Sequence, residues 1–172
     1  SFSSGVVQGS KSVGGLIGRN NGSVSKSYYL GDVKGYVKYI EDSGSTVEKV
    51  LGEQMGGFIG YNSGVIDNSF SRGYVEGKEK IGGFVGFNNG SVENSYSAAE
   101  VFGDSRLGGF AGDSISSDLV NCYYDSDLLD SSLVYNNLAI GETTANMKNA
   151  ATFSGWDFTN IWKISTGYPE LR

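Results

Sequence analysis

The chain of 172 residues contains no histidine, one cysteine, one proline and two methionines. Without histidine there is no Ser-His-Asp or Cys-His nucleophile pair and no imidazole ligand for a metal. One cysteine, Cys122, excludes an internal disulfide, a Cys-x-x-Cys redox pair and a cysteine zinc cluster. Chemistry would have to run on carboxylates, Lys, Arg, Tyr or Ser. No catalytic residue stands out, and the composition calls for no metal and no cofactor. Positive charge is also short: 13 Lys and Arg against 19 Asp and Glu leave a net charge of −6, without long runs of one sign. Nucleic acid is a poor partner for such a surface. No apolar stretch approaches the ~18 residues that span a bilayer, and none of these residues is expected to act as a signal peptide. A lone Pro169 beside 27 glycines argues against a collagen-like or disordered chain.

What is present is a repeat. Val13-Gly14-Gly15-Leu16-Ile17-Gly18-Arg19-Asn20 opens one copy, which passes Ser27-Tyr28 and ends at Val33-Lys34-Gly35. Met55-Gly56-Gly57-Phe58-Ile59-Gly60-Tyr61-Asn62 opens a second, which passes Ser69-Phe70 and ends at Val75-Glu76-Gly77. Ile81-Gly82-Gly83-Phe84-Val85-Gly86-Phe87-Asn88 opens a third, which passes Ser95-Tyr96 and ends at Val101-Phe102-Gly103. A fourth starts at Leu107-Gly108-Gly109-Phe110-Ala111-Gly112, needs one extra residue before Leu119, and ends near Cys122-Tyr123. The tail of an earlier copy stands at residues 1–9, so the chain opens in mid-pattern and reads as a piece of something longer. Starts at 55, 81 and 107 set a period of 26, and the step from 13 to 55 is that period plus an insertion of 16.

Within each unit, brief runs of β-branched and aromatic residues alternate with glycine, and no long stretch shows helical apolar spacing. A fixed period with identical phasing predicts stacking of equivalent strands in parallel, about 4.8 Å apart. The expected fold class is therefore all-β: a parallel β-helix or β-solenoid of four to five coils over residues 1–125, closed by a C-terminal capping segment at 126–172. Equivalent residues should stack into ladders. Asn20, Asn62 and Asn88 form an amide ladder, Ser27, Ser69 and Ser95 a column of small residues, and Tyr28, Phe70 and Tyr96 an aromatic column. Gly14-Gly15 and its equivalents are expected where the backbone needs positive φ or close approach.

The Gly-Leu-Ile-Gly core at 15–18, with Gly-Phe-Ile-Gly at 57–60, Gly-Phe-Val-Gly at 83–86 and Gly-Phe-Ala-Gly at 109–112, resembles the GLUG motif. The trailing Asn-x-Gly-x-Val and Asn-Ser-Tyr-Ser elements add to the likeness. The resemblance covers roughly residues 1–125. It implies a β-solenoid in an exported bacterial protein, such as a filamentous-haemagglutinin-like adhesin or an immunoglobulin A1-specific metalloprotease. The motif brings no catalytic residues, and the zinc helix of those proteases needs histidines that this chain lacks.

Residues 36–54 interrupt the array with two alternating runs around Ser43-Gly44-Ser45, which predicts a projecting hairpin. It reads either as a recognition element, with Tyr36, Lys38, Tyr39 and Lys49 as contact residues, or as a tolerated decoration that covers strand surface. Residues 141–148 read as a capped short helix with a threonine, Thr143 or Thr144, at the N-cap. Trp156 and Trp162 read as core of the cap, with a carbohydrate platform as the alternative. Asp125, Asp127 and Asp130 hint at calcium without the ligand number it needs. Asp32 and Glu100 occupy equivalent positions two copies apart, with Tyr74 between, which keeps a polysaccharide hydrolase or lyase open. The leading expectation is a non-catalytic module of a bacterial cell-surface or secreted protein, acting in adhesion or as a spacer. Its partners would be a host glycan or an extracellular matrix protein, with end-to-end self-association at the N-terminal coil also open. A non-catalytic region of a larger secreted metalloprotease is the remaining alternative.

Overall fold

The structure is a computed structural model that describes residues 1–115, 118–130, 135 and 138–172. It is all-β, and its larger sheets are parallel throughout. The partial first copy supplies β1 (Phe2–Gly9). The next supplies β2 (Lys11–Gly14), β3 (Ile17–Asn20), β4 (Ser23–Ser25) and β5 (Tyr28–Gly35), followed by the inserted β6 (Val37–Asp42) and β7 (Ser45–Val50). The second full copy gives β8 (Glu53–Gly56), β9 (Ile59–Asn62), β10 (Val65–Asp67) and β11 (Phe70–Glu76). The third gives β12 (Glu79–Gly82), β13 (Val85–Asn88), β14 (Ser91–Glu93) and β15 (Tyr96–Phe102). The fourth gives β16 (Ser105–Gly108), β17 (Ala111–Ser114), β18 (Leu119–Val120) and β19 (Tyr123–Asp125). Beyond it lie β20 (Ile140–Glu142), β21 (Trp162–Lys163) and β22 (Glu170–Leu171).

Each copy thus contributes one strand to each of four sheets, and strands pair with their equivalents in neighbouring copies. The register is that of the repeat: Tyr28 faces Phe70, Phe70 faces Tyr96, and Tyr96 faces Tyr123. The extra residue of the fourth copy is absorbed before β18, since Asn88 still pairs Ser114 while Val92 pairs Leu119. The four sheets share one core. Met55, Ile81 and Leu107 come from the first, Phe58, Phe84 and Phe110 from the turn after it, Ile66 and Val92 from another, and Val33, Val75 and Val101 from the longest. The Phe58, Phe84 and Phe110 rings stack at 4.8 and 4.7 Å between centroids. Each buried ring contributes about 1.5–3 kcal/mol by leaving water.

The paired glycines serve close approach. A methyl on Gly57 would sit 2.1 Å from the carbonyl oxygen of Gly83, and one on Gly83 would sit 2.2 Å from that of Gly109. Their φ angles are not positive. The left-handed corners instead carry Ser12, Gln54, Lys80 and Arg106 at one position of the repeat, and Lys26, Asn68, Asn94 and Asn121 at another, with φ between 46 and 60°. Lys11, Glu53, Glu79 and Ser105, polar residues between the glycine-ended copies, open β2, β8, β12 and β16. The insertion accordingly ends at Leu51, three residues earlier than its sequence boundary.

The C-terminal segment departs most from expectation. The expected helix is cut to a single 3-10 turn at Asn146–Lys148 whose cap position is Ala145 rather than a threonine, although Thr143 Oγ1 accepts the Asn146 amide at 3.2 Å. β20 extends the long sheet beyond β19, in parallel. The remainder turns back along the outward face of that sheet rather than only closing its end. There Met147, Phe153, Trp156 and Trp162 bury Phe70, Tyr96, Ala98 and Tyr123 in a second apolar cluster.

Candidate binding surfaces

The asparagine positions form a continuous hydrogen-bonded file. Asn20 Nδ2 donates to Asn62 Oδ1 at 2.8 Å, and Asn62 Nδ2 donates to Asn88 Oδ1 at 2.8 Å. Each amide also bridges its own corner, accepting the backbone N–H of Gly22, Gly64 or Gly90. The serine file works through backbone: Ser27 N–H donates to Ser69 Oγ and Ser69 N–H to Ser95 Oγ, at 3.3 and 3.2 Å. Cys122 ends that file with its thiol donating to the carbonyls of Val92 and Val120, and burial pushes its pKa up to about 12. A thiol held so far from ionisation is a poor nucleophile.

Phe2, Tyr28, Phe70 and Tyr96 stack along the outside of the long sheet at 5.2, 4.7 and 5.0 Å. The C-terminal segment covers the Phe70–Tyr96 half. Trp162, fully buried, stacks on Trp156 at 4.4 Å and donates its indole N–H to Asn68 Oδ1 at 3.0 Å. Trp156 donates to the carbonyl of Asn121, so both indoles close on left-handed corners. Neither ring is free to serve as a sugar platform. Arg72 ties the segment down: Nε donates to Tyr96 Oη and Nη2 to the Pro169 carbonyl, both at 2.7 Å, while Tyr96 donates to the same carbonyl at 2.6 Å. Beside this latch a cleft of about 230 Å³ lies between Tyr28, Leu30, Phe70 and Arg72 on one side and Lys163, Glu170 and Leu171 on the other.

Tyr168 gives the flank a pH limit. Its hydroxyl donates to the buried Asp125 carboxylate, and desolvation followed by that hydrogen bond pushes its pKa up to about 12. Tyr96 is raised further, by burial above all. A phenol with a raised folded-state pKa stabilises fully below its unfolded value near 10 and stops doing so as pH climbs through the folded value. The C-terminal segment is therefore expected to loosen between about pH 10 and 12. Tryptophan emission should shift to the red there, ahead of any loss of strand circular dichroism. A flank that stays blue-shifted past that window would contradict the assignment.

The acidic candidates separate. Asp125 accepts from Thr144 Oγ1 at 2.7 Å, from Tyr168 and from the Asp127 amide, so neutral donors occupy it. Among the described residues no group of three His, Cys, Asp or Glu is placed to hold a metal ion. Asp32 and Glu100 both pair with Tyr74 from opposite sides in the sheet. Asp32 is bridged by Lys34 at 3.2 Å, and the cleft that Glu100 lines includes Asp127 and Asp130 but not Asp32.

The hairpin stands clear of the sheets. Ser43 and Gly44, at φ 50 and 85°, turn β6 into β7, which pair antiparallel with Tyr39 opposite Glu48 and Lys38 opposite Lys49. Tyr36 and Tyr39 are 54% and 66% exposed. At the root, a cleft of about 330 Å³ is lined by Ser10, Lys11, Lys49, Leu51, Gly52, Glu53 and Lys78. Nothing in the sequence pattern singles out Lys11 and Lys78 as a pair. The available signal was position: Ser10-Lys11-Ser12 and Lys78-Glu79-Lys80 are the equivalents, one copy either side, of the point where the insertion rejoins the repeat.

No family model matches the chain, and neither a curated protein nor a solved structure does. Among the described residues no helix is long and apolar enough to cross a membrane.

Proposed function

We propose that this chain is a β-solenoid module of the GLUG type, a non-catalytic part of a bacterial cell-surface or secreted protein, and that it acts in adhesion through its hairpin. The observation that carries the reading is the contrast between the repeat and the insertion. Asparagine, serine and aromatic side chains of the repeat engage their own equivalents, which accounts for their recurrence without any ligand. The hairpin breaks the period, has most of its residues exposed, and presents Tyr36, Lys38, Tyr39 and Lys49 to solvent. Insertions in repeat proteins gather on binding faces, and a rigid scaffold beneath a short ribbon limits the entropy lost on contact. The likeness to the GLUG motif supports a location outside the bacterial cell.

The test compares the full chain with a version lacking residues 36–51, which rejoins Gly35 to Gly52 and restores the spacing of the other copies. Both would be titrated against extracellular matrix proteins and a glycan panel, with circular dichroism confirming equal β-structure. Saturable binding by the full chain that disappears with the hairpin is the expected outcome. Equal binding by both forms would move the site off the hairpin, and binding by neither would leave a spacer.

A further inference from the structure

We propose that the hairpin and its root form a surface for an acidic polysaccharide, one bearing sulfate or carboxylate groups along its chain; this rests on the reading of the hairpin as the contact element. The molecule is acidic overall, at −6, yet Lys11, Lys38, Lys49 and Lys78 gather at this one place. Lys38 and Lys49 stand directly opposite one another in a two-stranded ribbon. Like charges in that position destabilise the pairing, so the arrangement works against the hairpin's own stability.

The ribbon also carries Glu41, Asp42 and Glu48, but among the described residues none of them forms an ion pair with its lysines. Among the described residues, no carboxylate lies within ion-pair distance of Lys38, Lys49 or Lys78. Glu53 is the one acid lining the root cleft, and Lys11 already meets it at 3.6 Å. Both side chains of that pair are more than half exposed, where an ion pair holds weakly and exchanges readily for another partner. Alternation along the strands puts Lys38 and Lys49 on the same face as Ile40 and Val47, with Tyr36 and Leu51 continuing it toward the root. Cations thus alternate with apolar surface from the ribbon down into a cleft whose volume lies at the low end for ligand pockets. A sugar ring offers that pattern in reverse, with C–H faces between anionic substituents.

The choice of lysine favours a saccharide over nucleic acid. Base edges and phosphates are read best by the planar fork of arginine. All four cations here are lysines, hydrated point charges on flexible stems, which suit anionic groups at irregular spacing.

The test titrates the whole chain, at low and at physiological ionic strength, with a heparin-derived oligosaccharide, a hyaluronan oligosaccharide, neutral dextran and a DNA duplex. Sulfated and carboxylated saccharides should bind saturably and more weakly as salt rises, while dextran does not bind. The first two separate the sulfate from the carboxylate source. The decisive variant is Lys49→Glu, which turns a repulsive cross-strand pair into an attractive one. It should leave the hairpin at least as stable while weakening saccharide binding about tenfold or more. Lys148→Ser, remote on the flank, should leave binding unchanged. Undiminished binding by Lys49→Glu, equal affinity for DNA, or no binding to either acidic saccharide would overturn the proposal. Hairpin-dependent binding of a neutral glycan or a matrix protein that survives Lys49→Glu would remove this inference alone and leave the adhesive role standing. Loss of every hairpin-dependent ligand would remove both.

Discussion

Replacing Asn62 by leucine is expected to cost about 4 kcal/mol, a large part of the stability of a domain this size. Asn62 is fully buried and makes four hydrogen bonds: two at 2.8 Å to Asn20 and Asn88, and two at 3.3 and 3.2 Å to the carbonyl and amide of Gly64. Leucine matches its size and supplies none of them. The Gly64 amide and carbonyl lose their corner partner, and the neighbouring amides lose the bond that links the copies. Each lost hydrogen bond is worth about 0.5–1.5 kcal/mol, and the four together set the total. Asn20→Leu should cost less, since Asn20 bonds only one neighbouring amide and its own corner at Gly22. Urea unfolding of the two variants measures both, and a loss below about 1 kcal/mol for Asn62→Leu would show that the amide file is not a source of stability.

Trp162→Ala is expected to cost about 3–5 kcal/mol, the usual range for truncating a buried indole. The ring is fully buried among Phe70, Tyr96 and Trp156, so alanine leaves a cavity on the face of the aromatic column. It also strands Asn68 Oδ1, which accepts the indole N–H. The predicted consequence is local before it is global. The C-terminal segment should lift, leaving residues 143–172 open to protease and the Phe70–Tyr96 stack open to a hydrophobic dye, while strand circular dichroism holds at moderate temperature. Protection of that segment equal to the parent chain would mean that Arg72 and Tyr168 suffice to hold it. Phe153→Leu, which keeps an apolar side chain in the same cluster, should show a much smaller effect.

Much of the array was legible because its signal is local and repeated. A one-residue slip would turn every apolar side chain to the wrong face, so the 26-residue period dictates the register that pairs Tyr28 with Phe70 and Phe70 with Tyr96. The hairpin was legible for the same reason, in two alternating runs around Ser43-Gly44. The corners were not. Sequence rules assign positive φ to glycine, and here Ser12, Gln54, Lys80 and Arg106 adopt it, held by strands paired on either side. Gly57 and Gly83 are instead required by the carbonyls of the adjoining copy, a demand that exists only after the copies are assembled.

The flank was illegible in another way. Phe153, Trp156 and Trp162 announce burial, but an apolar cluster does not name the surface that will bury it. Both the end of the array and the outward column of Tyr28, Phe70 and Tyr96 could serve. The column won, with Asn68 and Asn121 at left-handed corners supplying acceptors for two indoles. The root of the hairpin was missed because Lys11 and Lys78 are separated by 67 positions and reach one cleft only when β2, β8 and β12 lie side by side.

The return of the C-terminal segment alters how the molecule would carry force. Neighbouring copies touch across 26 or 42 positions, so an unadorned array pulled by one end can peel away a copy at a time. Arg72 to Pro169 and Asn68 to Trp162 instead join residues 97 and 94 positions apart, across two intervening copies. Tension applied at Arg172 meets this clasp before it reaches the last strands, and several bonds and stacked rings must slide together rather than open in sequence. A chain held at one end and tugged at the other would gain from that arrangement a tether that resists abruptly, then yields as a block.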